Sequence, residues 1–171
     1  MNRGATWATM ACVLVLSSSY VFGLDEKKQH DGLVKNMPKA KITLQQGLGM
    51  AETQGQPISA KFELENDTEF QLSVFTSKSG KFAEVVVDYG NGKLSKPEVI
   101  NSGEDLSEAK SESAAMAKAK LTLKAALDKA VSESEGYRAI SIFPALKDGH
   151  AVAAVVLLKD KDFKTVEISL E

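Results

Sequence analysis

Apolar residues recur along this chain first at helical spacing and then at strand spacing, and the switch happens twice. In ITLQQGLGMA, residues 42–51, Leu44, Leu48 and Ala51 stand at i, i+4 and i+7, one buried face of a helix. Thr43 precedes them and Gln46 follows three residues later, the spacing of a capping box. Gly47 and Gly49 each weaken that helix by about 1 kcal/mol relative to alanine, so its packing partner must hold it. After the turn GQP the period falls to two. Ile58, Ala60, Phe62 and Leu64 alternate with Ser59, Lys61, Glu63 and Glu65, and Phe70, Leu72 and Val74 resume the alternation beyond ENDTE. FAEVVVDYGNGKL supplies a third strand that ends in a glycine-rich reversal, where Asn91 and Gly92 tolerate positive φ.

The same order returns near residue 121. Leu121 and Thr122 take the places of Ile42 and Thr43, and Leu123, Leu127 and Ala130 or Val131 form a second helical stripe. YRAISIF, HAVAAVVLL and FKTVEISLE read as three strands, with Glu167, Ile168, Leu170 and Glu171 falling where Glu84, Val85, Val87 and Asp88 stand. The pattern predicts an α+β fold of two repeated modules, residues 42–94 and 121–171. Each is one helix packed on a three-stranded antiparallel sheet, αβββ. Residues 95–120 are a polar linker whose second half, SEAKSESAAMAKAK, favours helix; that helix either breaks before Thr122 or runs on into the next one. Residues 24–41 carry scattered charge without an apolar period and read as a flexible leader.

Burial raises a difficulty for separate modules. A helix covers one face of a sheet, yet Val85, Val86 and Val87 are consecutive, as are the apolar residues from Val152 to Leu158. Modules of about 50 residues also sit near the lower limit for an adequate core. Either the two modules pack together or their uncovered faces meet another chain.

The amino terminus changes the picture of compartment. Arg3, an apolar run from Ala5 to Leu16 and the small, polar SSS follow the order of a secretory signal peptide. Residues 1–23 are expected to be removed by cleavage before Leu24, leaving 171 − 23 = 148 residues in a periplasmic or secreted protein. The apolar run is shorter than the roughly 20 residues of a membrane span, so no stable span is expected after cleavage. Cys12 is the only cysteine, so the mature chain has no disulfide or thiolate to offer. Without Arg3, 20 basic residues face 23 acidic ones, and this balance argues against nucleic acid as a partner.

ITLQQGLGMAETQG, two alternating strands and the closing EVVVDYGNGKL together resemble the PepSY domain, in which a T-L-x-x-A-like helix opening precedes strands and a V-D-x-x-x-G-K-L-like turn. Val87, Asp88, Gly92, Lys93 and Leu94 match that ending, while the second copy keeps the helix and strands and rests on its internal similarity to the first. PepSY domains occur in propeptides of thermolysin-like metallopeptidases and in stand-alone exported proteins. The resemblance implies a helix-on-sheet fold and a role in restraining proteases, here in trans, with no catalytic residues.

Candidate chemistry adds little to this. His30 and His150 are isolated in sequence and read as incidental, and DYGNG has one carboxylate where a calcium loop needs several. No G-x-S-x-G elbow, P-loop or H-E-x-x-H motif occurs, so neither a catalytic residue nor a metal or cofactor is expected. Glu63, Glu65 and Glu69 make an acidic edge around the first hairpin and are the candidate partner contact. Two functions follow as expectations. One is a non-catalytic binding or inhibitory module for exported proteases or peptides, offering a sheet edge for strand addition. The other is a structural or assembly protein of the cell envelope whose apolar sheet faces meet a permanent partner, a second copy included.

Overall fold

The computed structural model describes residues 23–171, so the expected signal sequence lies outside the described residues save for Gly23. The chain is α+β. Its strands are β1 (Gln56–Glu65), β2 (Glu69–Lys78), β3 (Lys81–Val87), β4 (Glu98–Ile100), β5 (Arg138–Lys147), β6 (His150–Lys159) and β7 (Asp162–Ser169). They form one antiparallel sheet in the order β4-β3-β2-β1-β5-β6-β7. The two halves therefore share one sheet. They join edge to edge at β1 and β5, where only Ala60↔Ile142 and Lys61↔Ser141 are in register.

Helices α2 (Leu44–Ala51) and α4 (Leu123–Ser132) bury the stripes that their spacing predicts. Leu44, Leu48, Ala51, Leu123, Leu127 and Ala130 all enter one core with Leu72, Val74, Val87, Ile142, Val155 and Ile168. The capping box on α2 is present: Gln46 N donates to Thr43 Oγ1 at 3.2 Å, and Thr43 N donates to Gln46 Oε1 at 2.8 Å. Thr122 caps α4 by accepting from Ala125 N at 3.1 Å. Gly47, costly for propensity, has a packing reason, because a Cβ there would lie 2.5 Å from Leu72 Cδ2. Each helix entry is also tied to the chain just past a strand, β3 for α2 and β7 for α4. Tyr89 O accepts from Lys41 N and Ile42 N, and Leu170 O accepts from Lys120 N and Leu121 N.

Three expectations need correction. The flexible leader is instead helix α1 (Gly23–Asn36) followed by a 3-10 turn, Met37–Lys39. Its order comes from few anchors: Leu33 and Met37 are buried, and the Gln29 side chain bonds both N and O of Leu64, 35 residues away. Arg138 fixes the other end by donating to the carbonyls of Met37 and Ala40 at 2.9 and 3.0 Å. The linker is more structured than a linker should be. It supplies β4 and helix α3 (Gly103–Lys118), which ends before Thr122 and is separate from α4.

The third correction concerns alternation in β1. A bulge between Pro57 and Ser59 moves Ile58 away from Ala60 and Phe62, and it packs with Phe82 and Ala109 of α3. α3 crosses this face at Ser59, which bonds Glu112, and runs on along β5 and β6. No helix among the described residues is long and apolar enough to cross a membrane.

Candidate functional site

The three glutamates of the expected acidic edge part company in three dimensions. Glu63 is buried, with 9% of its surface exposed, while Glu65 is half-buried and Glu69 exposed at the start of β2. Glu63 is held inward because its carboxylate meets Lys61 Nζ at 2.7 Å and accepts from Gln71 Nε2 at 3.4 Å. Burial and the neighbouring Glu63 raise the Glu65 carboxyl above its ordinary value.

The face of the sheet that α3 crosses carries a polar cluster that strand alternation alone does not reveal. Ser59 and Ser73 are fully buried, and Glu84 is only 3% exposed. Ser59 Oγ donates to Glu112 Oε2 at 2.6 Å, joining β1 to α3, and Gln71 Nε2 donates to Ser73 Oγ at 3.0 Å. Glu84 Oε1 has no hydrogen-bond partner among the described residues. The electrostatics follow from this crowding. Burial pushes the Glu84 carboxyl up to about 7, opposed by the Ser73 hydroxyl beside it and reinforced by Glu63. Burial also pushes Glu112 up to about 8, against the Ser59 hydrogen bond and with Glu108 adding repulsion. For Lys61, burial disfavours the charged form. The Glu63 carboxylate, with Glu84 and Glu108 behind it, more than offsets that and holds the ammonium above its usual value.

The two outer strands of the sheet provide the second feature. β3 has its free side occupied: β4 pairs Ile100, Val99 and Glu98 with Phe82, Ala83 and Glu84. Farther along, Ser95 N donates to Val86 O at 2.8 Å, Val86 N donates to Ser95 Oγ at 2.9 Å, and Leu94 bridges to Val87. β7 ends the sheet on the opposite side, and no described strand lies beyond it. It is eight residues long, with Asp162, Lys164, Thr165, Glu167 and Ser169 exposed. Its outer row of backbone donors and acceptors is a template for another strand.

The remaining candidates have local roles. His30 stacks on Phe163 with ring centroids 4.1 Å apart, and His150 Nδ1 lies 3.1 Å from Glu171 Oε2. In DYGNG, Asp88 Oδ1 accepts from Gly90 N and Asn91 N at 2.8 and 2.9 Å, and Gly92 takes φ +77° to close the reversal. Asn91 does not share that conformation. Among the described residues, no three His, Cys, Asp or Glu side chains are grouped so as to hold a metal ion. Compared with known proteins, the chain matches no family model, no curated protein and no solved structure.

Proposed function

We propose that this chain is an exported, non-catalytic binding protein built from two PepSY-like αβββ modules, and that it takes an extended segment of a partner protein onto the outer edge of β7. The partner class we favour is an exported protease of the thermolysin-like type, restrained in trans. One observation carries the binding mode. The outer edge of β3 already holds an extended segment, β4, whereas the corresponding edge of β7 is unpaired among the described residues. Strand addition uses such an edge for affinity through main-chain bonds.

The duplication is supported by register. Both first strands bulge at an Ile-Ser pair, between Pro57 and Ser59 and between Ala139 and Ser141. From there Phe62, Leu72 and Val87 lie across the first half as Pro144, Ala153 and Ile168 lie across the second. Ile168 is therefore the counterpart of Val87, two positions from the alignment that the sequence alone favoured. Glu69 and Glu65 stay accessible as an acidic contact, while Glu63 is engaged by Lys61.

Titrating the mature protein against exported proteases of its own cell tests the proposal. The expected result is saturable, reversible inhibition with the protein left intact. Proline is then placed at Thr165 or at Val166, since successive N–H groups of a strand point to opposite edges. The variant that keeps its fold has lost an outward N–H and should lose binding. Undiminished binding by that variant would overturn the β7 edge; a tight dimer that masks the edge would favour the envelope-assembly reading.

A further inference from the structure

The first half of the sheet already holds an extended segment on its outer strand, and that segment is a pattern for what the second half takes. Two observations set the halves in one register. Val87 and Ile168 correspond by strand pairing. Two residues beyond each, the carbonyls of Tyr89 and Leu170 do the same work, each accepting two backbone N–H groups at the entry to its helix. Counting back, Phe163 stands for Phe82, Lys164 for Ala83, Thr165 for Glu84 and Glu167 for Val86.

The direction of the backbone agrees. Val86 turns its N–H and C=O outward to Ser95, and alternate residues share an edge, so Phe82 and Glu84 face outward with it. Just past β7, Leu170 N donates to Ala151 O at 2.9 Å, and Asp162 closes the hairpin with Lys159. Even-numbered residues of β7 therefore bond inward to β6. Phe163, Thr165 and Glu167 face outward, at the same three places.

On β3 the segment runs antiparallel and puts Glu98, Val99 and Ile100 opposite Glu84, Ala83 and Phe82. Ile100 packs on the cluster around Phe82, while Val99 stays 63% exposed opposite the small Ala83. Carried onto β7, the same path sets an aliphatic side chain beside Phe163, a half-buried ring with one face on His30. The middle position changes character, because the exposed Lys164 stands there in place of alanine. Its Nζ donates to Ser134 Oγ at 3.2 Å and lies 5.6 Å from the centre of the Tyr137 ring. Among the described residues no carboxylate forms an ion pair with it. A cross-strand carboxylate would complement that charge.

We propose that the β7 edge selects an antiparallel extended segment in which an acidic residue is followed by an aliphatic one, the acid opposite Lys164 and the aliphatic side chain opposite Phe163. This selectivity rests on the reading of β7 as a strand-accepting edge, and it states the chemistry of the segment taken.

A synthetic peptide of residues 93–101 is the probe, because its own place on β3 is filled in the intact chain. Within the peptide, Val99→Glu supplies the acid and Ile100→Ser removes the aliphatic group. Amide NMR of the labelled mature protein follows the titration. The Val99→Glu peptide should shift the amides of Phe163, Thr165 and Glu167 and bind about threefold more tightly than the unchanged peptide. Adding Ile100→Ser should weaken binding about tenfold. Lys164→Glu in the protein should reverse the charge preference, so that a Val99→Lys peptide binds better than the Val99→Glu one. A nitroxide on the peptide's amino terminus should broaden Ser169 and spare Asp162, as the antiparallel path requires. Equal affinity for all the peptides at the β7 amides would overturn the selectivity and leave the edge standing. No shift at those amides with any peptide would overturn the edge and the selectivity together. Amides of β7 that move on dilution of the protein alone would give the edge to a second copy and overturn the proposal.

Discussion

The halves of the sheet differ most at their undersides and outer edges. On the side of the sheet that α3 crosses, the first half carries Lys61, Glu63, Ser73 and Glu84, and β4 pairs with its outer edge. At the corresponding register the second half carries Phe143, Ala145, Ala154 and Thr165, and its edge on β7 is open among the described residues. Both halves present the same kind of leucine and alanine stripe on the other face, through α2 and α4. What separates them is the segment between them. It supplies both the strand that pairs with one outer edge and a helix that crosses the sheet from β1, where Ser59 meets Glu112, to β5 and β6.

The strongest way to break that comparison is to ask whether the halves are energetically separate. Leu48 and Leu127 occupy matching sites on α2 and α4, are at most 1% exposed, and enter the same core. Replacing either by alanine should cost about 3 kcal/mol, within the range for a buried leucine. Because the core is shared, each variant should unfold in one transition shifted to lower urea, followed by circular dichroism. Two transitions, with only one displaced by each substitution, would mean that the halves fold independently and that the β1–β5 junction is incidental.

A smaller effect sharpens the difference between the undersides. The Glu84 carboxyl is raised from 4.5 to about 7, so its protonated form is favoured in the folded chain. The native state is therefore spared below the unfolded value and penalised as pH rises through 7. At about 1.36 kcal/mol per pKa unit, the penalty by pH 8 approaches about 3 kcal/mol, and relaxation around the carboxyl reduces it to about 2. Glu84→Gln should recover most of that near pH 8 and almost none near pH 4. Thr165→Val, at the corresponding place in β7, should leave the pH profile of urea stability unchanged. An equal pH response from the two variants would remove the distinction between the faces.

Legibility followed the range of the interactions. The stripes Leu44, Leu48, Ala51 and Leu123, Leu127, Ala130 were plain because a helix face repeats within one segment, and Thr43 with Gln46 lies within four residues. α1 was not plain. Its order depends on Leu33 and Met37 reaching a distant core and on Gln29 bonding Leu64 across the chain, and none of these leaves a period. The cluster on the face that α3 crosses was hidden by its own alternation, since Lys61 and Glu63 stand where a strand shows water its polar side. The run of Val85 to Val87 signalled that both faces needed covering, though it could not say by what. Glu63, Glu65 and Glu69 form one acidic edge in the sequence but not in the fold, because spacing cannot distinguish a glutamate that faces water from one that faces a lysine.

The finest comparison lies in how the two helices begin. Thr43 and Gln46 exchange two bonds across the first turn of α2, whereas Thr122 receives a single bond, from Ala125 N at 3.1 Å. The third helical position of α4 is Ala125, which has no side-chain acceptor to return to Thr122 N. Thr43→Ala and Thr122→Ala should each cost about 1 kcal/mol, because each leaves a first-turn donor without its side-chain acceptor. The reciprocal half of the box is worth less, since water reaches Thr43 and Gln46, both on the exposed side of the turn. Gln46→Ala should therefore cost only a few tenths of a kcal/mol, on the order of an exposed hydrogen bond less the better helix propensity of alanine. The inverse change is the sharper test. Ala125→Gln would give α4 the acceptor it lacks, and Ala125 is exposed, so the longer side chain has room. The expected gain is roughly 0.3 kcal/mol, read as a rise in urea midpoint with an unchanged slope. A loss of stability instead would show that the carbonyl of Leu170, which already holds Lys120 N and Leu121 N, fixes the entry to α4 at an angle that a capping box cannot adopt.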